Sequence, residues 1–336
     1  MTEENCPKSL TEAVKHFADD KNCHDFLVAL RWPDGVVKCA HCGSARIGKL
    51  VASKRVVPAK VVRGVAYPEK TLTRRLWNCK GCRKQFTAKV GTIFEDSPLG
   101  LDKWFTGVWL LTNAKNGISS YEVAATLGIT QKSAWHMMHR VRRILHDGSV
   151  DKLSGTIEAD ETYIGGLARN MHKDVKERRI TGTGGKDKTA VMGMLERSTR
   201  DKVSRVRLRV LKSAKRAELQ GHVYANVEPL SNVMTDAHPA YQGLQGDFEH
   251  AFVDHAIRYV EGAVHTNGLE NFWCLLKRSL KGTYVRPSPF HMFRYLDAQA
   301  YWTRRRIGSM LVSSHPLDVS WTALAVLRTS ALLGRN

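Results

Sequence analysis

The chain contains no run of 18 or more apolar residues, which excludes a membrane-spanning helix. Its first ten residues, MTEENCPKSL, lack the basic and apolar regions of a secretory signal, so the sequence reads as cytoplasmic. It has no internal repeat and no long low-complexity tract. Acidic residues are scarce: 32 Asp and Glu stand against 52 Lys and Arg, a net charge of +20. The deficit is uneven, since residues 51–100 carry 11 basic and 3 acidic residues. Such an excess points to a polyanionic partner, most simply nucleic acid. With 336 residues, 43% of them hydrophobic, the chain is long enough for two or three domains with a sizeable core.

Seven cysteines include two Cys-x-x-Cys pairs, Cys39/Cys42 and Cys79/Cys82. In a cytoplasmic chain such pairs indicate metal before disulfide. A thioredoxin-like role needs one pair, not two. Four thiolates in two knuckles complete a tetrahedral Zn²⁺ site, and Gly43 and Gly81 suit the tight turns. The 36 residues between the pairs fit a zinc ribbon with an inserted hairpin. His41, inside the first knuckle, reads as a bystander.

Coarse periodicity organises the rest. Residues 9–30 read as helical, followed by a turn at Trp32-Pro33-Asp34-Gly35. VVKCAHCGS reads as a strand entering the first knuckle, and 50–72 as strands or a flexible tongue. From 97 to 146 the pattern is helical. Strands follow at TIEADETYIGG, KTAVMGMLER, KVSRVRLRVL, SNVMTD and GDFEHAFVD, with a mobile link over 165–188 and a helix at SAKRAELQGHVYANV. Two more helices open at HTNGLENFWCLLKR and near residue 288.

Within the helical region, residues 118–145 suggest a helix-turn-helix, with a turn at Gly128 and Thr130 as N-cap of the second helix. Ala124, Ile129, Ala134 and Met138 would face inward. Gln131, Lys132, Ser133 and His136 would be exposed toward a DNA groove.

The acids raise a different chemistry. In HTNGLENFWCLLKR, Leu269, Phe272, Trp273 and Leu276 form one apolar stripe. Glu270, Lys277 and Lys281 fall on its flank at 100° per residue. Glu270 could complete a capping box with Asn267. It could also join acids from two strand ends, a set able to hold two Mg²⁺ ions for in-line phosphoryl transfer. Spacing alone leaves Asp160, Glu158 and Glu161 as rivals in one strand, and Asp236 and Asp254 as rivals near another. Lys277 would steady a DNA phosphate beside the metals.

The blocks CAHCGS, WNCKGCRKQFTAKVGTIFEDS, IEADETYIGG, KTAVMGMLER, TDAHPAYQGL and HTNGLENFWCLLKRSLKGTY together resemble a bacterial insertion-sequence DDE transposase. More narrowly, they resemble the insertion-sequence fifteen-ninety-five family, with its zinc ribbon and ISXO-two-like catalytic domain. The resemblance implies an RNase H-like mixed-sheet domain, with Asp160, Asp236 and Glu270 as the Mg²⁺-binding triad and Lys277 as the basic residue seven places on. It implies an α+β, α/β multidomain chain: N-terminal helices and zinc ribbon over 1–92, a helix-turn-helix-like segment over 93–150, the catalytic domain over 151–306 and a tail over 307–336. It also implies binding to terminal inverted repeats and target DNA at the nucleoid, 3′-end cleavage and transfer, and a homodimer or larger assembly. One departure stands out: YLDAQAYWTRRR, from Tyr295 to Arg306, replaces a family pattern near YLDEFAFRYNxR. The rival expectation is a DNA-binding regulator with an inactive catalytic domain.

Overall fold

The computed structural model describes residues 7, 9–62, 65–67, 69–114, 116–146, 151–165, 171–180, 188–200, 202–253, 264–285 and 287–311. These divide into two compact units. One comprises the described residues up to Asn113 together with Val123–Ile144. The other comprises Ala114–Glu122 and the described residues from Leu145 onward.

The first unit opens with two helices in the stretch that reads as helical. α1 (Leu10–Phe17) is capped by Ser9, and α2 (Asp20–Arg31) by Asp19, whose carboxylate accepts from the Lys21 N–H at 3.0 Å. An Asp in extended conformation at 19 ends one helical run and starts the next. Residues 36–44, expected to be a strand, form none. Their backbone is instead committed to the knuckle, with the Cys39 N–H bonded to Ser44 O and the Gly43 N–H to Cys39 O. The small sheet comes later, in the order β1 (Ile47–Lys49), β6 (Trp77–Cys79), β7 (Gln85–Phe86). Between β1 and β6 the chain runs out and back as two antiparallel ribbons. β2 (Ser53–Val57) pairs with β5 (Lys70–Arg74), and β3 (Lys60–Val62) with β4 (Val65–Tyr67). Aromatic packing builds the unit's core: Phe17, Phe26 and Phe105 meet at centroid distances of 4.8–5.2 Å. Phe105 lies on α3 (Leu101–Asn113), which also packs against α5 (Gln131–Ile144).

The second unit is built on a five-stranded mixed sheet, in the order β10 (Arg205–Val210), β9 (Thr189–Glu196), β8 (Thr156–Ile164), β11 (Asn232–Asp236), β12 (Glu249–Val253). The first three strands run antiparallel, and β11 and β12 join parallel to β8. Alternation along β8 and β9 gives each sheet face its own core. Ile157, Ala159, Met192 and Val233 pack with Leu219 and Val223 of α7 (Arg216–Asn226). On the opposite face Val191, Leu195 and Val206 meet α8 (Asn267–Ser279) through Leu269, Phe272, Trp273 and Leu276. The apolar stripe read from the sequence is this buried surface. Leu296 of α9 (Met292–Leu311) joins the same cluster. In α9 the position that departs from the family's acid, Ala298, is fully buried, and Trp302 nearly so. The 165–188 connection contains α6 (Lys173–Arg179); its residues 166–170 and 181–187, like Asp254 and the tail from 312 on, lie outside the described residues.

Candidate active site

Parallel pairing between β8 and β11 sets Val233 beside Ile157 and Met234 beside Glu158. Two residues further along each strand stand Asp236 and Asp160, so both carboxylates leave the sheet on the face covered by α8. Period-two alternation puts Glu161 on the other face, where Tyr241 donates its hydroxyl to the Glu161 carboxylate at 2.7 Å. Burial, and then the charges of Asp236 and Glu161, push the Asp160 carboxyl up to about 7. Two N–H groups oppose that rise: the Trp273 indole donates to Asp160 Oδ2 at 2.8 Å, and the Glu161 backbone to Oδ1 at 2.8 Å. Among the described residues neither Asp160 nor Asp236 has an ion-pair partner.

Glu158 does something different from its neighbours. Its side chain is 1% exposed, and it accepts from Arg197 Nε at 2.7 Å and from the Leu269 backbone N–H at 2.8 Å. Arg197 Nη2 donates onward to His265 O at 2.7 Å. One carboxylate on β8, through one guanidinium after β9, thus holds the first turn of α8 and the residue leading into it. The approach demands a glycine: a Cβ at Gly268 would stand 2.8 Å from Glu158 Oε2. A second close approach lies under Asp160, whose strand partner Gly193 would bring a Cβ to 2.7 Å from the Trp273 ring.

Of the two readings of Glu270, the capping box with Asn267 does not form. Thr266, not Asn267, is the N-cap of α8, and it makes no side-chain cap bond. The Leu269 N–H is satisfied by Glu158, 111 residues away. Glu270 lies exposed in the first turn, with Thr266 Oγ1 donating to its carboxylate at 3.4 Å. Lys277 is exposed two turns later. Lys281 falls beyond the α-helix, in a π-helical turn over Leu280–Tyr284, so the 100° step that aligned it with Glu270 does not hold there.

The acids offer only hard oxygen donors, and among the described residues no cationic side chain is paired with Asp160 or Asp236, which suits a small divalent cation. Asp160, Asp236 and Glu270 are not drawn into a single tight shell. Among the described residues only Cys39, Cys42, Cys79 and Cys82 form a group of three or more ligand atoms all within 4.8 Å of one another. A two-ion site, with metals about 3.5–4 Å apart, spans more than one ion's shell.

The thiolate cluster is closed. Cys39 and Cys82 sulfurs lie 3.6 Å apart, as do those of Cys42 and Cys79. Tetrahedral Zn–S bonds of about 2.3 Å place sulfurs about 3.8 Å apart, close to this spacing. The Cys82 backbone N–H, and after it that of Gly81, hold the Cys79 thiol down to about 6, favouring the thiolate a metal needs. His41 is not in the cluster; its ring instead meets Phe86 edge-on.

In the helical segment, α4 (Ser120–Leu127) turns at Gly128 (φ 56°) into α5. The Ser133 N–H bonds Thr130 Oγ1 at 3.2 Å, the expected cap. Ala124, Ala134 and Met138 are buried and Ile129 is half-buried. Lys132 and His136 are exposed, while Gln131 and Ser133 are half-buried, Ser133 also sharing a hydroxyl contact with Thr130.

In the sequence Glu158 reads only as a rival metal ligand, and Arg197 and Gly268 carry no signal. The one local signal was an acid sharing a strand face with Asp160. Nothing in the sequence announces a cap supplied from so far away.

Comparison with known proteins adds three findings. Residues 152–303 match the ISXO2-like transposase domain. Residues 18–85 match the transposase zinc-ribbon domain. A Halobacterium salinarum protein, described as an uncharacterized protein in transposable element ISH50, is 27% identical over 276 residues, covering 80% of this chain and 85% of that protein.

Proposed function

The chain belongs to the insertion-sequence transposases with a zinc ribbon and an ISXO2-like DDE domain, and from that premise we propose how it acts on DNA. It binds the terminal inverted repeats of its element, cleaves at the element ends and transfers the 3′-hydroxyl ends into target DNA. The carrying observation is the adjacency of Asp160 and Asp236 on one sheet face, under a helix whose first turn bears Glu270. The strand order, antiparallel β10-β9-β8 extended by parallel β11 and β12, supports an RNase H-like reading of this unit.

Asp160, Asp236 and Glu270 would hold two Mg²⁺ ions, which supply charge stabilisation to the attacking and leaving oxygens of an in-line displacement. The protein's own part is orientation. Trp273 holds Asp160 Oδ2 and the Glu161 backbone N–H holds Oδ1, so the orientation of the carboxylate is set by the protein. Glu158 and Arg197 fix where α8 begins, and with it the position of Glu270. Lys277, on the same helix flank, meets a DNA phosphate. Lys132 and His136 on α5 enter a major groove, and the four cysteines hold a structural Zn²⁺. Two element ends must be paired, so a homodimer or larger assembly works on DNA.

One assay tests the reading: purified protein, labelled inverted-repeat duplex and Mg²⁺, with Asp236→Ala and Glu270→Ala alongside. Cleavage and joining by the parent alone is expected. Binding by all three with cleavage by none leaves a DNA-binding regulator. Cleavage without joined product leaves a nuclease.

A further inference from the structure

The excursion between the two cysteine pairs is a basic ribbon, and among its described residues no side chain is buried before Trp77. Residues 51–75 hold seven Lys and Arg and one acid, Glu69. Val51, Val56 and Val61 are 96%, 55% and 70% exposed, so these apolar side chains are not packed into a core. Two strands without a buried face are marginal in water. What this ribbon presents instead is charge.

The charge is arranged by register. Ser53 opposes Arg74, Lys54 opposes Thr73 and Arg55 opposes Leu72. Directly opposed residues share a face, so Arg55 and Arg74 project from one side and Lys54 from the other. The side bearing Arg55 and Arg74 forms a wall of a cleft of about 890 Å³, whose other lining includes Arg75, Lys89 and Asp20. Asp20, the single acid there, is engaged by Arg75 at 2.6 Å. Lys89 donates to the Ser97 carbonyl at 3.2 Å. Among the described residues Arg55 and Arg74 have no ion-pair partner. The volume equals a cube roughly 10 Å on a side, room for one sugar–phosphate strand and not a duplex. A two-stranded ribbon fits a major groove of about 12 Å.

We propose that this ribbon is a second DNA-contacting element: it lies along a groove of duplex DNA while Arg55 and Arg74 hold the phosphates of one strand in the cleft. The contact goes to the backbone and so adds affinity without sequence preference, whereas α5 reads bases. The inference rests on the proposed DNA transposase function and specifies which surface of the zinc-ribbon region carries the phosphate contacts.

The test uses the full-length protein, a fluorescent duplex bearing the element's terminal repeat and a scrambled duplex of equal length, titrated across a range of NaCl. Each phosphate contact contributes about 0.9 to the slope of log K against log[salt]. Arg55→Ala/Arg74→Ala should lower the slope by about 1.8 and the affinity at 0.15 M salt by roughly 30-fold, equally on both duplexes. Zinc content should be unchanged. Lys54→Ala, which removes a charge from the other face, should move the slope by less than about half a unit. An unchanged slope in the double variant, or an equal effect per charge from Lys54→Ala, overturns the proposal while leaving the transposase reading intact. Loss of affinity for an RNA hairpin but not for duplex DNA also overturns it. A parent protein with no salt-dependent affinity for either duplex removes the functional reading itself.

Discussion

The cysteine cluster and the carboxylate site are assembled in contrasting ways. Each half of the cysteine cluster is a four-residue knuckle whose own backbone N–H groups point at its sulfurs, and the sulfur positions already match a metal's needs. The proposed carboxylate site draws on two strands and a helix spread over 110 residues, from Asp160 to Glu270, and Asp160 and the start of the helix are held by groups that would touch no metal. In the first, the ligands organise the fold around the ion. In the second, as proposed, the fold organises the ligands, and the sheet holds Asp160 and Asp236 close enough for the charge of one to act on the other. The lesson is that removing the ion should be catastrophic for one region and mild for the other.

The largest effect expected from that contrast is at zinc. Structural zinc contributes on the order of 10 kcal/mol in small domains. Cys79→Ser should lose the metal, measured by elemental analysis, and unfold the first unit in circular dichroism and limited proteolysis. If the first unit survives without metal, the contrast collapses. The clamp comes next. Breaking a buried ion pair typically costs about 3–5 kcal/mol, so Glu158→Gln should lower the thermal midpoint. It should also reduce the rate of cleavage at saturating DNA while leaving DNA affinity within about twofold. Arg197→Lys keeps the charge but not the two-pronged geometry, and should recover only part of the rate.

Asp160 gives a pH-dependent test of smaller size. Its folded pKa of about 7 lies above the unfolded value of 3.8. Between those values the folded state binds the extra proton, so this group's contribution to stability falls as pH rises from about 4 to 7. The full penalty, at most a few kcal/mol, stands above pH 7. In buffer without Mg²⁺ or Mn²⁺, Asp160→Asn should therefore match the parent's thermal midpoint near pH 4 and exceed it at pH 8. Added Mg²⁺ should close that gap by raising the parent alone. Smallest is Gly268→Ala, where the added methyl meets Glu158 Oε2 at 2.8 Å. Overpacking typically costs about 1–3 kcal/mol, read from chemical denaturation.

These differences also track what was legible in the sequence. The knuckles were, because their geometry is local. So were the strands of the second unit, where alternation in KVSRVRLRVL and TIEADETYIGG survives folding as β10 and β8. The apolar stripe of α8 was visible for the same reason. The capping of α8 was not, since Glu158 reaches its N-terminus from another strand, and a local Asn–Glu spacing imitates a capping box. The missing strand before Cys39 shows local backbone hydrogen bonds of the knuckle overriding a hydrophobic period. Residues 50–72 read equally as strands or a tongue because alternation there does not separate an inside from an outside: Val51, Val56 and Val61 are all exposed.

The ribbon leaves and returns between two pairs of ligands that a single ion would join, and this has a consequence for chain length. Once the base of a loop is fastened, its conformational cost grows only with the logarithm of its length, about 0.6 kcal/mol per doubling. The 36 residues between the cysteine pairs could lengthen or shorten by several residues at little thermodynamic cost. Their number is therefore free to be set by how far the ribbon must reach.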